Sequence, residues 1–241
     1  MKNLMQLYRD NLQAKKPLNL VRNQSEASLY IYDVIDSYWG VSALQVIDAI
    51  TEAGNAQVLH VYINSPGGDV FEGRAIMAAL ARFNGKTIAH IDSLCASAAT
   101  SIAVACTEVE MSPGAFFMIH NASTMAWGDK TALRETADLL EKIEGSIIAD
   151  YTSKTGKDSA QVTAWMDAET WFNAEEALAN GFVDRISSTS TAPAQNAWNL
   201  AAFTNAPAAL KIEKSEVIDT VIPKKSMKQT NTNKLKLVQV L

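Results

Sequence analysis

Apolar and polar residues along the first half of the chain follow two periods in turn, one typical of strands and one typical of helices. The strand-like segments are rich in β-branched and aromatic residues, and the helical segments carry apolar residues three and four positions apart. The predicted strands are 28–36, 56–64, 86–92, 108–112 and 115–120, and the predicted helices are 41–54, 70–85 and 97–107. Strands that alternate with helices predict an α/β fold with a parallel, layered sheet.

A different pattern begins near residue 129, where helical spacing continues without a break to about residue 155. Asp129 is a suitable N-cap for this helix, and Gly156 is a suitable C-terminal stop. A helix of this length extends for about 38 Å, which is more than one small domain requires. We therefore expect part of its apolar stripe to pack against a partner subunit. The apolar positions of the stripe are Leu133, Ala137, Leu140, Ile143, Ile147 and Tyr151.

The remaining segments divide the chain into a compact domain and two extensions. Two further short helices and a last strand at 181–186 complete a domain that is expected to span 28–187, after a polar leader at 1–27. Residues 188–210 carry no formal charge and are rich in Ala, Ser, Thr, Asn and Pro, which is the composition of a linker. We predict that 188–241 is a flexible linker followed by a basic C-terminal extension.

Composition and charge narrow the class of protein. The chain of 241 residues is 48% hydrophobic and 20% charged, as expected of a soluble protein. No run of sequence reaches the roughly eighteen apolar residues that a membrane span requires, and the N-terminus lacks the apolar core of a signal peptide, so we expect a cytoplasmic protein. Residues 207–241 hold seven lysines against three acids, which leaves a net charge of −9 on residues 1–206 (14 basic, 23 acidic). This acidic body argues against nucleic-acid binding.

Three places in the sequence could assemble into one catalytic site. The first is the turn INSPGGD at 63–69, which comes directly after a predicted strand. Its glycines allow positive φ and close approach of another backbone, which leaves N–H groups free to stabilise an oxyanion. Taken alone, the same residues more often form a plain strand-to-helix turn.

The second place is DSLCASAATS at 92–101, where Ser97 lies at a predicted strand-to-helix junction. A serine at this position can act as a nucleophile if a general base contacts it, but from the segment alone an N-cap is the commoner role. Cys95 is a weaker candidate nucleophile, because a buried thiol usually behaves as a small hydrophobic residue. Cys95 and Cys106 lack the CxxC spacing of a metal or redox site, and no metal or cofactor is predicted.

The third place is FFMIHNAS at 116–123, where His120 stands at the end of a predicted strand. Catalytic groups tend to lie at such positions, although a lone histidine there is more often structural. His60 and His90 fall inside predicted strands, where we expect their side chains to be satisfied within the sheet.

Four blocks of sequence, taken in order, resemble those of the Clp-type serine peptidases (ClpP). They are VYINSPGGDVFEGRAI, CASAA, FMIHNAS and ETWFNAEEALANGFVD, within roughly 28–187. The segments YDVIDSYWGVSA and ETWF-AEEA resemble in particular the ClpP-related head-maturation (prohead) proteases of tailed bacteriophages. The resemblance implies a ClpP/crotonase-like layered ββα superhelix with a protruding handle helix at about 129–155, and a ring-forming homo-oligomer.

The resemblance also implies roles for single residues. Ser97 matches the nucleophile and His120 the general base, and the backbone N–H groups of Gly68 and Ala98 match the oxyanion hole.

The third member of the implied triad departs from the family pattern. The family usually has an aspartate where this chain has Glu169, so Glu169 is the first choice for the acid and Asp167 the second. Gly67 and Asn121 are expected to contact the substrate.

The function that the resemblance implies is an ATP-independent serine endopeptidase, encoded by a phage or prophage, that cleaves scaffold and capsid proteins and in some cases itself during prohead maturation. One alternative is a Clp-type proteolytic subunit that acts with an ATP-dependent unfoldase. Another is a non-proteolytic protein with a crotonase fold, either an acyl-CoA enzyme or a structural component.

Overall fold

The computed structural model describes residues 18–23, 25–188 and 198–210. The predictions for 1–17, 189–197 and 211–241, which include most of the leader and the basic tail, lie outside the described residues. The strands are β1 (Asn19–Arg22), β2 (Glu26–Ile31), β3 (Val58–Ser65), β4 (Lys86–Ala96), β5 (Glu108–Met111), β6 (Phe116–Ile119), β7 (Thr170–Phe172) and β8 (Arg185–Ile186). The helices are α1 (Ala43–Ala53), α2 (Val70–Ala81), α3 (Ala98–Val104), α4 (Lys130–Thr155), α5 (Ser159–Asp167) and α6 (Ala174–Ala179), with a short 3₁₀ turn at Ala208–Leu210.

The strands in the described residues form one sheet, whose main path runs β1-β2-β3-β4-β5-β8. Strand β1 is antiparallel to β2, and the pairs from β2 to β8 along this path are parallel. Parallel neighbours require crossover connections, and α1, α2 and α3 lie between the successive strands from β2 to β5. The predicted α/β class with a parallel, layered sheet is therefore confirmed.

Strand β4 is long enough to pair with two different strands along one of its edges. Residues 88–91 pair with β5, and residues 94–96 pair with β6, which in turn pairs antiparallel with β7. The residues that follow β3, β4 and β6 therefore meet at one edge of the fold, as ligand-binding residues do in open α/β sheets. They are the turn 66–68, Ser97 and His120.

Two of the strands predicted in the first half of the chain differ from their bounds in the structure by more than two residues. The strand predicted at 86–92 continues to Ala96, and the strand predicted at 28–36 ends at Ile31. Beyond Ile31 the chain leaves the ladder with β3, and Ile35 instead bonds to the turn at residues 67–69.

The predicted long helix is confirmed as α4. The carboxylate of Asp129 accepts from the N–H groups of the first turn, and Gly156 ends the helix with a φ of 69°. Near the C-terminal end Ile147 and Tyr151 are buried, whereas Leu133 near the N-terminal end is 45% exposed. The helix therefore packs on the core by one end only, and the expected contact of its other end with a partner subunit stays a prediction. None of the described helices has the length and apolar composition needed to span a membrane.

The prediction of a flexible linker is wrong for residues 198–210, which we call the strap. Four of its apolar side chains are almost completely buried, with at most 5% exposure. Burial of this apolar surface stabilises the packed position, and the two aromatic residues supply most of the area. The strap residues are Trp198, Leu200, Phe203 and Ala206, and they pack with Val34, Leu94, Ala96 and Met118 in a cluster separate from the main core.

The predicted polar leader at 1–27 is also wrong in part. Residues Asn19–Arg22 form β1, an edge strand that pairs with β2, and Leu20 packs against the main core. This four-residue run lacks a clear alternation of apolar and polar residues, because the rest of the protein covers one face of β1 only in part.

Candidate active site

Ser97 lies in a strained turn between β4 and α3. Its φ is 55° and its ψ is −127°, values that a residue with a side chain rarely adopts. The turn is held by bonds from Ser97 N to the carbonyl of Met118 and from Thr100 N to the carbonyl of Ser97. Ser97 stands at the N-cap position of α3, but its hydroxyl makes no capping hydrogen bond to the helix. The N-cap interpretation therefore explains where the residue lies and does not explain what its hydroxyl does.

The imidazole of His120 contacts that hydroxyl directly. His120 Nε2 lies 2.8 Å from Ser97 Oγ, within hydrogen-bonding distance. For Nε2 to accept the serine proton, the neutral ring must carry its own proton on Nδ1. Burial lowers the pKa of His120, and the negative charge of Glu169 acts in the opposite direction. A lowered pKa favours the neutral ring near neutral pH, which is the form that can accept a proton.

The turn at Gly67 and Gly68 lies against the serine and cannot accept a side chain. A Cβ on Gly67 would lie 2.7 Å from Ser97 Cβ and 2.5 Å from the carbonyl oxygen of Ala96, and Gly67 has a φ of 86°. The turn is held in place by Ile35, which donates to Gly67 O and accepts from Asp69 N at 2.9 and 2.7 Å. The structure thus brings the Pro-Gly-Gly turn next to Ser97.

The two predicted oxyanion donors are Gly68 and Ala98. Among the described residues, neither N–H group has a hydrogen-bond acceptor. The bonds that hold the turn use the carbonyl of Gly67 and the N–H of Asp69, and leave the N–H of Gly68 unused. Gly68 and Ser97 line the same cavity. Unused N–H groups beside a nucleophile are the groups that an oxyanion hole needs.

Glu169 is near His120, but its carboxylate is bonded elsewhere. One oxygen accepts from the N–H of Thr204 at 2.9 Å, and the other accepts from the N–H of Asn205 at 2.6 Å. Trp171 Nε1 lies 3.3 Å from the same carboxylate. Among the described residues, no hydrogen bond joins Glu169 to His120, so its influence on the imidazole is that of a nearby charge.

The other residues predicted for the site have contacts of their own. Asp167 accepts a 2.7 Å hydrogen bond from Asn121 Nδ2, which ties the second-choice acid to a predicted substrate contact. Gly67 supports the turn through its carbonyl. The catalytic role of Asp167 and the substrate contacts of Gly67 and Asn121 stay predictions.

The alternative candidates lie outside this constellation. Cys95 is completely buried, and burial raises the pKa of its thiol well above the usual value, which suppresses the nucleophilic thiolate. His60 Nδ1 lies 2.8 Å from His90 Nε2, with Glu26 and Glu110 near the outer nitrogens of the pair. As predicted, both histidines are satisfied by partners within the sheet.

A cavity of about 260 Å³ opens beside Ser97 and His120. Most of its wall is apolar, and the sequence interpretation did not identify this wall. Phe203 in this wall comes from the strap. The signal in the sequence that could have identified it was an aromatic residue within a stretch of mostly small and polar residues. The apolar residues of the wall include Val70, Phe71, Leu139, Leu140, Ile143 and Phe203.

Comparison with known proteins agrees with this arrangement. The family model described as Clp protease matches residues 20–190. The ATP-dependent Clp protease proteolytic subunit 1 of Leifsonia xyli is 30% identical over 130 residues, which cover 53% of this chain and 66% of that relative. The ATP-dependent Clp protease proteolytic subunit of Streptococcus pyogenes serotype M5 is 29% identical over 136 residues, or 55% of this chain and 69% of the relative. The chain thus spans about two thirds of the length of these relatives.

Among solved structures, a single-residue mutant of ClpP1 from Listeria monocytogenes is similar in fold. The TM-score is 0.61 at 20% sequence identity, and the match covers 67% of this chain and 91% of the other. This similarity confirms the predicted ClpP-like fold.

Proposed function

The chain belongs to the Clp protease family, and we propose that it is a serine peptidase with Ser97 as nucleophile and His120 as general base. The observation that carries this proposal is the 2.8 Å contact between Ser97 Oγ and His120 Nε2. It occurs at a serine whose strained backbone aims the hydroxyl at the imidazole rather than at the helix N-terminus.

The proposed reaction is acyl transfer in two steps. Ser97 Oγ attacks the peptide carbonyl carbon while its proton moves to His120 Nε2, and the N–H groups of Gly68 and Ala98 stabilise the oxyanion. Collapse of the tetrahedral intermediate breaks the C–N bond, and the imidazolium returns the proton to the leaving amine. Water then hydrolyses the acyl-enzyme, with His120 again as the base.

Glu169 is the proposed acid of the triad. Its charge favours the imidazolium that forms during attack, because it opposes the effect of burial on the pKa of His120. The carboxylate does this without a direct hydrogen bond to the ring, since both of its oxygens accept from the strap.

We further propose a biological setting, which rests on the resemblance of the YDVIDSYWGVSA and ETWF-AEEA segments to phage head-maturation proteases. The protein would be an ATP-independent endopeptidase that cleaves scaffold and capsid proteins in the prohead, and also its own chain. It would act as a ring-forming homo-oligomer, and the exposed N-terminal half of α4 supplies an apolar surface for contact between subunits.

A second setting is supported by the names of the relatives. Both relatives above are called proteolytic subunits of an ATP-dependent Clp protease, and this chain would correspondingly act with an ATP-driven unfoldase. The two settings differ in one requirement. Cleavage of a folded substrate by the purified protein without ATP supports the maturation protease, whereas strict dependence on ATP and an unfoldase supports the Clp subunit.

The peptidase activity itself is tested by incubating the purified full-length protein with a denatured protein substrate, and then measuring intact masses of substrate and enzyme. We expect the wild type to produce fragments and Ser97→Ala to produce none. Ser146→Ala is a matched control, because Ser146 is an exposed serine on α4 whose hydroxyl contacts only its own helix. Equal cleavage by wild type and Ser97→Ala would refute the assignment of the nucleophile.

A further inference from the structure

The strap is attached next to the active site at two places. At its start, Trp198 is buried and donates a 3.0 Å hydrogen bond from Nε1 to Asn64 Oδ1. Asn64 belongs to β3, two residues before the turn that carries Gly68. The buried indole therefore supports the strand that leads into the proposed oxyanion hole.

The later part of the strap is fixed to the turn that carries Glu169. The Glu169 carboxylate accepts from two successive backbone N–H groups, of Thr204 and Asn205, and Asn205 Nδ2 donates to Ala168 O at 2.8 Å. Hydrogen bonds to a charged acceptor are among the stronger ones in proteins. Three bonds over two adjacent residues therefore determine where the residue before them, Phe203, is placed.

Phe203 contacts the catalytic histidine and lines the cavity beside it. Its ring meets the His120 imidazole edge to face at 5.6 Å between centroids and an angle of 80°. It meets Trp171 in the same manner at 5.7 Å. Phe203 is only 5% exposed, yet it lines the cavity that also contains Ser97. One face of the site is thus built from a segment outside the domain predicted at 28–187.

We propose that Phe203 is a specificity-determining residue that limits the size of the apolar substrate side chain entering the cavity, and a positioning residue that restrains the His120 ring. The part of this proposal that concerns substrate specificity rests on the proposed peptidase function. The ligand class follows from the wall, where Leu139, Leu140 and Ile143 present aliphatic surface and Phe203 presents an aromatic ring. Such a wall favours an apolar side chain, and removal of the Phe203 ring would admit a larger one.

The test uses full-length protein and fluorogenic peptides that differ only in the residue before the scissile bond, which is leucine, phenylalanine or 2-naphthylalanine. Phe203→Ala is expected to raise kcat/KM for naphthylalanine relative to leucine by about 10-fold or more, because the wall is removed. It is also expected to lower kcat for the leucine peptide, because the imidazole loses a restraint. Phe203→Leu is expected to show a smaller change in the same direction, and it provides a second variant if the alanine variant does not fold.

Leu200→Ala is the matched control, because Leu200 is a buried strap residue that does not line the cavity. It should leave the ratio between the two peptides within about 2-fold of wild type. An unchanged ratio in folded Phe203→Ala and Phe203→Leu would overturn the proposal, and so would an equal change in Leu200→Ala.

A second measurement separates failure of this inference from failure of the peptidase proposal. The pKa of His120 is followed by NMR on histidine-labelled protein with Ser97→Ala as background, so that no cleavage is needed. Adding Phe203→Ala should admit water to the ring and raise this pKa toward its ordinary value, since burial is what lowers it. Absence of Ser97-dependent cleavage in the wild type would refute the peptidase function alone, whereas an unmoved pKa would refute the placement of Phe203 against His120.

Discussion

The two sides of the His120 imidazole are built in different ways. On the Nε2 side, the ring meets Ser97 at 2.8 Å, and the serine is held by the neighbouring ends of β3, β4 and β6. Glu169, the predicted acid, influences the ring as a charge while its oxygens hold the strap. The nucleophile side is thus complete within residues 28–187, whereas the acid side is shared between catalysis and the attachment of a later segment.

This difference predicts that substitutions on the nucleophile side abolish activity, while those on the acid side reduce it. The largest effect is expected for His120→Ala, which removes the base that contacts Ser97. We expect kcat to fall by about 10³- to 10⁴-fold, the upper range for general acid–base catalysis. The double variant Ser97→Ala/His120→Ala should be no worse than Ser97→Ala alone, because the pair acts as a unit. Additive losses in peptide cleavage would contradict a shared mechanism.

The next effect concerns the turn that faces Ser97. Gly67→Ala introduces a Cβ within 2.9 Å of three atoms at residues 96–98, in a backbone region that alanine rarely adopts. The backbone strain alone costs about 1–3 kcal/mol. We expect a lower free energy of unfolding in urea and a large loss of kcat, because the turn must move away from Ser97. Gly145→Ala is the control, since nothing lies near the added Cβ on α4; it should leave kcat unchanged and raise the free energy of unfolding by up to about 1 kcal/mol, as alanine does in a helix interior.

A smaller effect is expected on the acid side. Glu169→Gln removes the charge near His120 and replaces one acceptor of the strap with an NH₂ group. Because no direct hydrogen bond to the imidazole is lost, we expect kcat to fall by about 10- to 100-fold, short of the roughly 10⁴-fold loss seen when a directly bonded acid is removed. Amide hydrogen exchange over 198–210 should rise at the same time. Asp167→Asn is the comparison variant, and a larger loss there than in Glu169→Gln would make Asp167 the acid.

The pH profile gives the smallest but most specific effect. Protonated His120 cannot accept the serine proton, so kcat/KM falls as the pH drops through the pKa of the free enzyme. Since burial lowers this pKa below its ordinary value of about 6.5, the acid limb should lie below pH 6.5. Glu169→Gln removes a negative charge that raises the pKa of His120, so the acid limb of the profile of this variant should move to still lower pH. A shift to higher pH would contradict the assigned role of Glu169.

The nucleophile side and the acid side of the site also differ in how much of each could be predicted from the sequence. Ser97, His120 and the Gly67–Gly68 turn were predictable, because each follows a strand with a strong local pattern, and parallel strands bring their carboxyl ends together. The position of Glu169 was predictable from the neighbouring FNAEEA block. Its bonding was not, because its partners Thr204 and Asn205 are 35 and 36 residues away in the chain.

The strap was not predicted, because average composition hides a few anchoring residues. The stretch after residue 187 carries no charge as far as residue 210 and resembles a linker, yet Trp198 and Phe203 within it are buried. Whether such residues pack depends on an apolar surface elsewhere, here that of Val34, Leu94 and Met118. A local pattern cannot reveal that surface, although an isolated tryptophan in a polar stretch indicates that one is needed.

The central claim, that Ser97 is a nucleophile activated by His120, is tested most directly by covalent labelling with a fluorophosphonate followed by peptide mass spectrometry. The account predicts a single adduct on Ser97 in the wild type, with labelling slowed by about 10²-fold or more in His120→Ala and absent in Ser97→Ala. If the folded wild type is not labelled at Ser97, or if His120→Ala is labelled as fast as the wild type, the claim is contradicted.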